Sequence, residues 1–267
     1  MAVEAIAPTD AWAVGYRPLL DDDVPLALHW DGTIWRAVPT PELHDARLYG
    51  VAAVSPADVW AVGYDVGGTA IRPLTLHWDG QAWAQVPAPN GGSTNTQFNS
   101  VSAVAADDVW AVGISQIGVE FKPVIEHWDG TSWSVTPSPS VSGNRFMYSV
   151  SAASPTDVWA VGEALIEHWD GSQWKKVAVP QPKAAFYGVS AVSADQAWTA
   201  GRRYVDPSSH PITDHWDGAD WSFVRVPAVG STALWAVDAI SASNVWAVGV
   251  SLGAPSSELY TVHSFGC

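Results

Sequence analysis

Cysteine is nearly missing from this chain of 267 residues: the one copy is Cys267. A single thiol forms no intrachain disulfide, and without partners it offers none of the Cys/His spacings of a zinc site. Basic residues are scarce too. Twelve Lys and Arg face 27 Asp and Glu, for a net charge of −15 and a pI near 4.6. With no basic cluster to release counterions from a phosphate backbone, the sequence argues against a nucleic-acid partner. The acidic balance reads first as a solubilising shell. No apolar run reaches the ~18 residues of a membrane span. The opening Met1-Ala2-Val3-Glu4 lacks the basic and apolar regions of a signal peptide. These absences fit a soluble protein of unassigned compartment, cytoplasmic or secreted with a leader removed. Only 15% of residues are charged and 48% are hydrophobic, so a large core is possible and disorder is not expected.

Tryptophan, by contrast, is abundant and periodic. An Asp-Val-Trp-Ala-Val-Gly type segment places Trp12, Trp60, Trp110, Trp159, Trp198 and Trp246 at intervals of 48, 50, 49, 39 and 48 residues. A His-Trp-Asp-Gly unit begins at His29, His77, His127, His168 and His215, with a degenerate copy at His263-Ser264-Phe265-Gly266. A further tryptophan follows at Trp35, Trp83, Trp133, Trp174 and Trp221, so sixteen of seventeen tryptophans belong to the repeat and Trp235 alone is irregular. A repeat of this length is one supersecondary unit that buries its faces only against its neighbours.

Each unit reads as four short strands. In the second copy the first is Val51 to Val54, then the turn Ser55-Pro56-Ala57-Asp58, where proline presets φ and the Ser and Asp side chains bond nearby amides. The second strand, Val59 to Val62, is apolar on both faces and is therefore covered on both. The third ends at Trp78, followed by the hairpin signal Asp79-Gly80. The fourth starts at Trp83 and runs into prolines, which suits an outermost edge. No 3.6-residue periodicity survives the glycines and prolines.

Six such units predict an all-β, six-bladed β-propeller with about four antiparallel strands per blade, the sixth lacking its outer strand. One domain, 1–267, is expected, with repeats at about 1–41, 42–89, 90–139, 140–182, 183–228 and 229–267. The unit resembles a WD-repeat blade in its third strand ending in Trp-Asp, without the Gly-His dipeptide of that family. Its Trp-Asp-Gly-x-x-Trp segment is similar to the Asp-box and tectonin-type hairpins of sialidase-like and lectin propellers. The resemblance covers nearly the whole chain and implies a propeller that binds glycan or protein. Ring closure is left open among a three-stranded sixth blade, a trimmed longer chain and a partner that completes it.

The turns after strands one and three are short and alike. The segments after strand two differ in every copy: Tyr16–Val24, Tyr64–Arg72, Ile114–Lys122, Arg202–His210 and Val250–Glu258 read as varied loops on a rigid scaffold, where function tends to sit. On the same face, two residues before each inner-strand valine, stand Tyr49, Asn99, Tyr148, Tyr187 and Trp235, with Arg47 and Arg145 nearby. Aromatic platforms with a few polar groups suit sugar rings or small organic ligands. The competing reading is that these rings only plug the channel.

The six repeat histidines resemble a metal ring. One histidine per blade at mid-radius does not converge on an ion, so a histidine bonded to a nearby turn or carboxylate is expected. Glu4 and Asp238 occupy an inner-strand position that is Ala52, Ser102, Ser151 or Ser190 elsewhere. Two such carboxylates could hold a cation, calcium in particular, or work as an acid/base pair; water-filled channel lining is the plainer reading. Asp21-Asp22-Asp23 is a second calcium candidate, read first as solvated surface. Three functions result. The first is a lectin-like binder of a glycan or small molecule. The second is a lyase, hydrolase or isomerase using Glu4, Asp238, Arg47, His44 and His210, which no nucleophile elbow, phosphate loop or metal motif supports. The third is a protein-interaction scaffold.

Overall fold

A computed structural model describes every residue except 21, 182, 206–207, 228–229, 254–255 and 264–267. Asp21, Cys267 and the end of the degenerate sixth unit lie outside the described residues. Among those described no helix is long and apolar enough to cross a membrane.

The chain folds as a six-bladed β-propeller. Blade one contains β1 (Ala2–Ala7), β2 (Asp10–Leu19), β3 (Asp22–Trp30) and β4 (Trp35–Val38). Blade two contains β5 (Ala46–Ser55), β6 (Asp58–Gly67), β7 (Ala70–Trp78) and β8 (Trp83–Gln85). Blade three contains β9 (Asn95–Ala105), β10 (Asp108–Ile117), β11 (Glu120–Trp128) and β12 (Trp133–Val135). Blade four contains β13 (Met147–Ser154), β14 (Asp157–Gly162), β15 (Leu165–Trp169) and β16 (Trp174–Lys176). Blade five contains β17 (Ala184–Ser193), β18 (Gln196–Val205), β19 (Ser208–Trp216) and β20 (Trp221–Val224). Blade six has three strands, β21 (Ser231–Ser241), β22 (Asn244–Gly253) and β23 (Ser256–His263). Within each blade consecutive strands pair antiparallel in sequence order. The chain divides into two compact units, Met1–Asn144 with blades one to three and Arg145–Cys267 with blades four to six.

Inside each unit the seams between blades are built from the repeat tryptophans. Trp12 of blade one lies 5.1 Å from Trp78 and 5.2 Å from Trp83 of blade two, the second contact edge-on. Trp60 meets Trp128 and Trp133, and Trp159 meets Trp216 and Trp221, in the same arrangement. Such tilted and edge-on pairs match the ring quadrupoles as well as burying area. In the second unit the inner strands are also tied by serine: the Ala191 amide donates to Ser151 Oγ at 2.9 Å, and the Ala239 amide to Ser190 Oγ at 3.0 Å.

The histidines complete this packing. His29, His77 and His127 pack tilted against Trp12, Trp60 and Trp110, and each Nε2 lies 2.8 Å from the carboxylate that opens β2, β6 or β10: Asp10, Asp58 and Asp108. His168 pairs likewise with Asp157, His215 with Gln196 and His263 with Asn244. A histidine bonded to a turn carboxylate was the expected arrangement.

One part of the scaffold differs from the sequence expectation. The segments after strand two are not loops: β6 runs on to Gly67 and β7 starts at Ala70, paired rung by rung from Tyr64↔Pro73 to Gly67↔Ala70. Blades one and three carry equivalent ribbons, with pairs Leu19↔Asp22 and Ile117↔Glu120 nearest their tips. Blade five extends its pairing to Val205↔Ser208.

Candidate binding face

At the ribbon end of five of the six inner strands the pairing slips by one residue. The skip falls between Leu48 and Gly50 in β5, between Phe98 and Ser100 in β9, between Met147 and Ser149 in β13, between Phe186 and Gly188 in β17, and between Leu234 and Ala236 in β21. The residue skipped is Tyr49, Asn99, Tyr148, Tyr187 or Trp235. The sequence candidates are therefore the extra residues of five equivalent β-bulges, a device that re-aims side chains next to sites. The partner strand shows why it carries glycine. A Cβ on Gly63 would sit 1.8 Å from the Arg47 carbonyl oxygen, and one on Gly113 would sit 1.9 Å from that of Gln97. The glycine of the Trp-Ala-Val-Gly segment thus makes room for the bulge.

In the first unit the bulge residues stand in a polar setting. Arg47 is held by Asp23, with Nε at 2.7 Å and Nη2 at 2.5 Å from Oδ2, and its guanidinium lies 4.4 Å from the Tyr16 ring centre. That carboxylate raises the Arg47 pKa further. Tyr49 packs 5.8 Å from Tyr64, whose phenol burial pushes up to about 12. The Asn99 amide oxygen accepts from Gln97 at 3.0 Å. His44 Nδ1 is 2.6 Å from Asp22 Oδ2, which raises the histidine pKa and lowers that of the acid. Asp22 also accepts the Asp45 amide at 2.6 Å.

The acidic triplet therefore has a structural use in its described members: Asp22 and Asp23, at the start of β3, tie the blade-one ribbon to the start of blade two. Other ribbons use other ties. The Ile71 amide donates to Asn95 Oδ1 at 2.9 Å, and the Ser209 amide to Ser231 Oγ at 3.2 Å. Part of the variation on this face thus lies in blade-specific ties that hold the ribbons in place. Among the described residues no three His, Cys, Asp or Glu side chains gather to hold a metal ion.

In the second unit the bulge side chains form a chain of rings. Tyr148 lies 5.2 Å from Tyr187, and Tyr187 lies 4.5 Å from Trp235. Phe146 extends the row, stacked 6.2 Å from Tyr148. Trp235 is 48% exposed and is the open end. Burial pushes Tyr148 up to about 12 and Tyr187 up as well, so both phenols keep their protons at neutral pH. Arg202 lies over the row, 5.5 Å from the Tyr187 ring centre and 4.5 Å from that of Tyr204, and donates to the Tyr204 hydroxyl. Sequence reasoning missed Arg202. Its signal was its place directly after Gly201, where the bulge partner strand leaves the repeat. Arg145 lies two residues before β13 and is half-buried. His210 sits in β19 with Nε2 at 3.3 Å from Ser208 Oγ.

Glu4 and Asp238 each sit on the inner strand of their own unit. Glu4 is half-buried opposite Trp12, and Asp238 is exposed opposite Trp246. Theirs is the register position at which Ser151 and Ser190 accept an amide of the next blade.

This fold and face define a β-propeller whose inner-strand bulges present side chains in each unit. No family model and no curated protein matches the chain. Among solved structures, "YCF48 bound to D1 peptide" aligns over the whole chain and 78% of its own length, with TM-score 0.61 at 17% identity. The WD40 repeats of RRP9 align over 90% of this chain and 69% of theirs, at TM-score 0.60 and 13% identity. The fungal lectin of Aleuria aurantia, a six-bladed β-propeller described with a fucose recognition mode, aligns over 98% and 92%, at TM-score 0.55 and 12% identity. At these identities the likeness shows the fold.

Proposed function

We propose that this chain is a ligand-binding propeller of lectin type, and that it takes a saccharide on the bulge face of its second unit. The observation that carries this reading is the row Tyr148–Tyr187–Trp235, which ends in an indole exposed for nearly half its surface. A pyranose ring lies its C–H face on such an indole, and its hydroxyls need both donors and acceptors close by. Protonated phenols and the Arg202 guanidinium supply them. The bulges pre-position the rings, so little side-chain freedom is lost on binding. The enzyme reading has less support: of its candidates, Arg47 and His44 are each held by an aspartate of the blade-one ribbon.

A glycan array followed by calorimetric titration of the best saccharide tests the proposal. Saturable binding that Trp235→Ala weakens roughly tenfold, the magnitude of one stacked ring, supports it. No binding across common saccharides, or binding indifferent to Trp235, overturns it.

A further inference from the structure

In every blade one residue follows the repeat glycine of the second strand. In the first unit it is Tyr16, Tyr64 or Ile114, none of them charged at neutral pH. In the second unit it is Glu163, Arg202 or Val250. Opposite charges therefore stand at this position in the neighbouring blades four and five.

The backbone sets the two on one rung. Glu163 bridges to Ala185 of β17, and Ala185 pairs with Arg202 of β18. Two strand spacings of about 4.8 Å put their Cα atoms roughly 10 Å apart. Tyr148 lies within the field of both charges. Arg202 is not neutralised by this neighbour: among the described residues of the second unit no carboxylate forms an ion pair with it. Its guanidinium rests on the Tyr187 and Tyr204 rings and donates to the Tyr204 hydroxyl, a neutral group. Its Nε is buried and has no acceptor among the described residues. Arg47, on the bulge face of the first unit, is the contrast, with Nε and Nη2 both on Asp23. The acidity of the chain is also uneven. Residues 145–267 hold seven Lys and Arg against eleven Asp and Glu, while residues 1–144 hold five against sixteen. An anion meets less repulsion at the second unit.

We propose, building on the lectin reading above, that the saccharide taken on the Tyr148–Tyr187–Trp235 row is acidic: a pyranose with a carboxylate, held by Arg202, whose hydroxyls face Glu163. A planar carboxylate matches the guanidinium fork, and a hydrogen bond between charged groups is about twice as strong as a neutral one. The Tyr187 and Tyr204 rings hold the guanidinium in place before the ligand arrives, which limits the freedom lost on binding. Glu163 gives the row a polarity. A carboxylate beside it is repelled, so the acid group has one favourable end, at Arg202.

The test is calorimetric titration of two sugar pairs, methyl glucuronide with methyl glucoside and methyl galacturonide with methyl galactoside. Each pair differs only in a carboxylate against a hydroxymethyl group. In at least one pair the acid is expected to bind roughly tenfold tighter or more. Arg202→Gln, shown to be folded by circular dichroism, is expected to remove most of that difference. Equal affinities within both pairs, weakened together by Trp235→Ala, overturn the acidic class and leave the lectin reading standing. An acid preference that survives Arg202→Gln places the carboxylate elsewhere and overturns the assignment. No binding of any of the four overturns it too, and the glycan array then judges the lectin reading by itself. Should Arg202→Gln unfold, salt decides with the wild type: going from about 0.05 M to about 0.5 M NaCl must weaken binding of the acid and spare its neutral parent. A preference indifferent to salt overturns the proposal.

Discussion

The two seams of the first unit are alike in plan, and among their buried differences, such as Leu48 against Phe98 and Leu74 against Val124, one changes an aliphatic chain for a carboxyl group. At the seam between blades one and two, β7 contributes Leu76, fully buried beneath Trp12. At the seam between blades two and three, the same register position of β11 is Glu126, also fully buried. Around it are Trp60, Val62, Phe98, Val109, Val124 and Trp133. Neither carboxyl oxygen of Glu126 has a hydrogen-bond partner among the described residues, and burial alone pushes its pKa up to about 8. One seam thus buries a carboxyl group where the other buries an aliphatic side chain.

The largest expected effect comes from removing the seam tryptophans. Trp12→Ala and Trp60→Ala should each cost about 3–5 kcal/mol, the usual range for deleting a buried indole, as read by urea denaturation at pH 5. They should part at alkaline pH. The space left by Trp60 admits water to Glu126 and lowers its pKa, so the Trp60→Ala variant should lose less stability on going from pH 5 to pH 9 than the Trp12→Ala variant does. Equal pH dependence in the two would mean that Glu126 is not the group responsible.

Exchanging the differing residues is the next largest change. With its folded pKa near 8 and an unfolded value near the ordinary ~4.3, Glu126 holds a proton in the folded state that the unfolded chain has released. Stability therefore falls as pH rises from about 4.3 to about 8, by up to about 1.4 kcal/mol per pH unit, and levels off above that. Glu126→Leu should remove that slope and stabilise most at pH 9. Leu76→Glu should transfer it to the first seam. Asp214, at the same position of β19 in the second unit, is raised by burial to about 7, so Asp214→Leu should remove a similar fall that ends one pH unit earlier. Denaturation midpoints between pH 4 and pH 9 measure all three. A Glu126→Leu profile as steep as wild type would refute the assignment.

What the sequence made legible follows the physics that produces the period. Tryptophan and glycine recur because each blade must present the same seam tryptophan and the same bulge partner, so blade number, strand order and the bulge residues could be read from spacing alone. The ribbons could not. Tyr64–Arg72 pairs as a hairpin, yet its sequence is unlike any other copy, because it is held by a blade-specific tie, the Ile71 amide to Asn95, instead of by a shared apolar pattern. Nor was the burial of Glu126 legible. The residue just before the repeat histidine is aliphatic at Leu28, Leu76 and Val262 but acidic at Glu126, Glu167 and Asp214, and an acid there looks like surface until the neighbouring blade is placed against it. The open end of the ring row at Trp235 was visible only as the one tryptophan out of register.

The smallest effect concerns the histidines, which the two seams share. His77 is bonded to the Asp58 carboxylate at 2.8 Å, while in the second unit His215 has Gln196 as its partner at the same distance. A neutral amide oxygen accepts from a neutral imidazole without favouring its protonation, and burial lowers the His215 pKa. Asp58→Asn, which copies the Asn244 of blade six, should therefore keep the imidazole packed against Trp60 and cost no more than about 1 kcal/mol, the worth of one exchanged hydrogen bond. Urea denaturation midpoints of the variant and the wild type measure that cost. A loss of several kcal/mol would mean that the carboxylate at Asp58 does more for the seam than its one hydrogen bond to His77, and that the amides of blades five and six are compensated elsewhere.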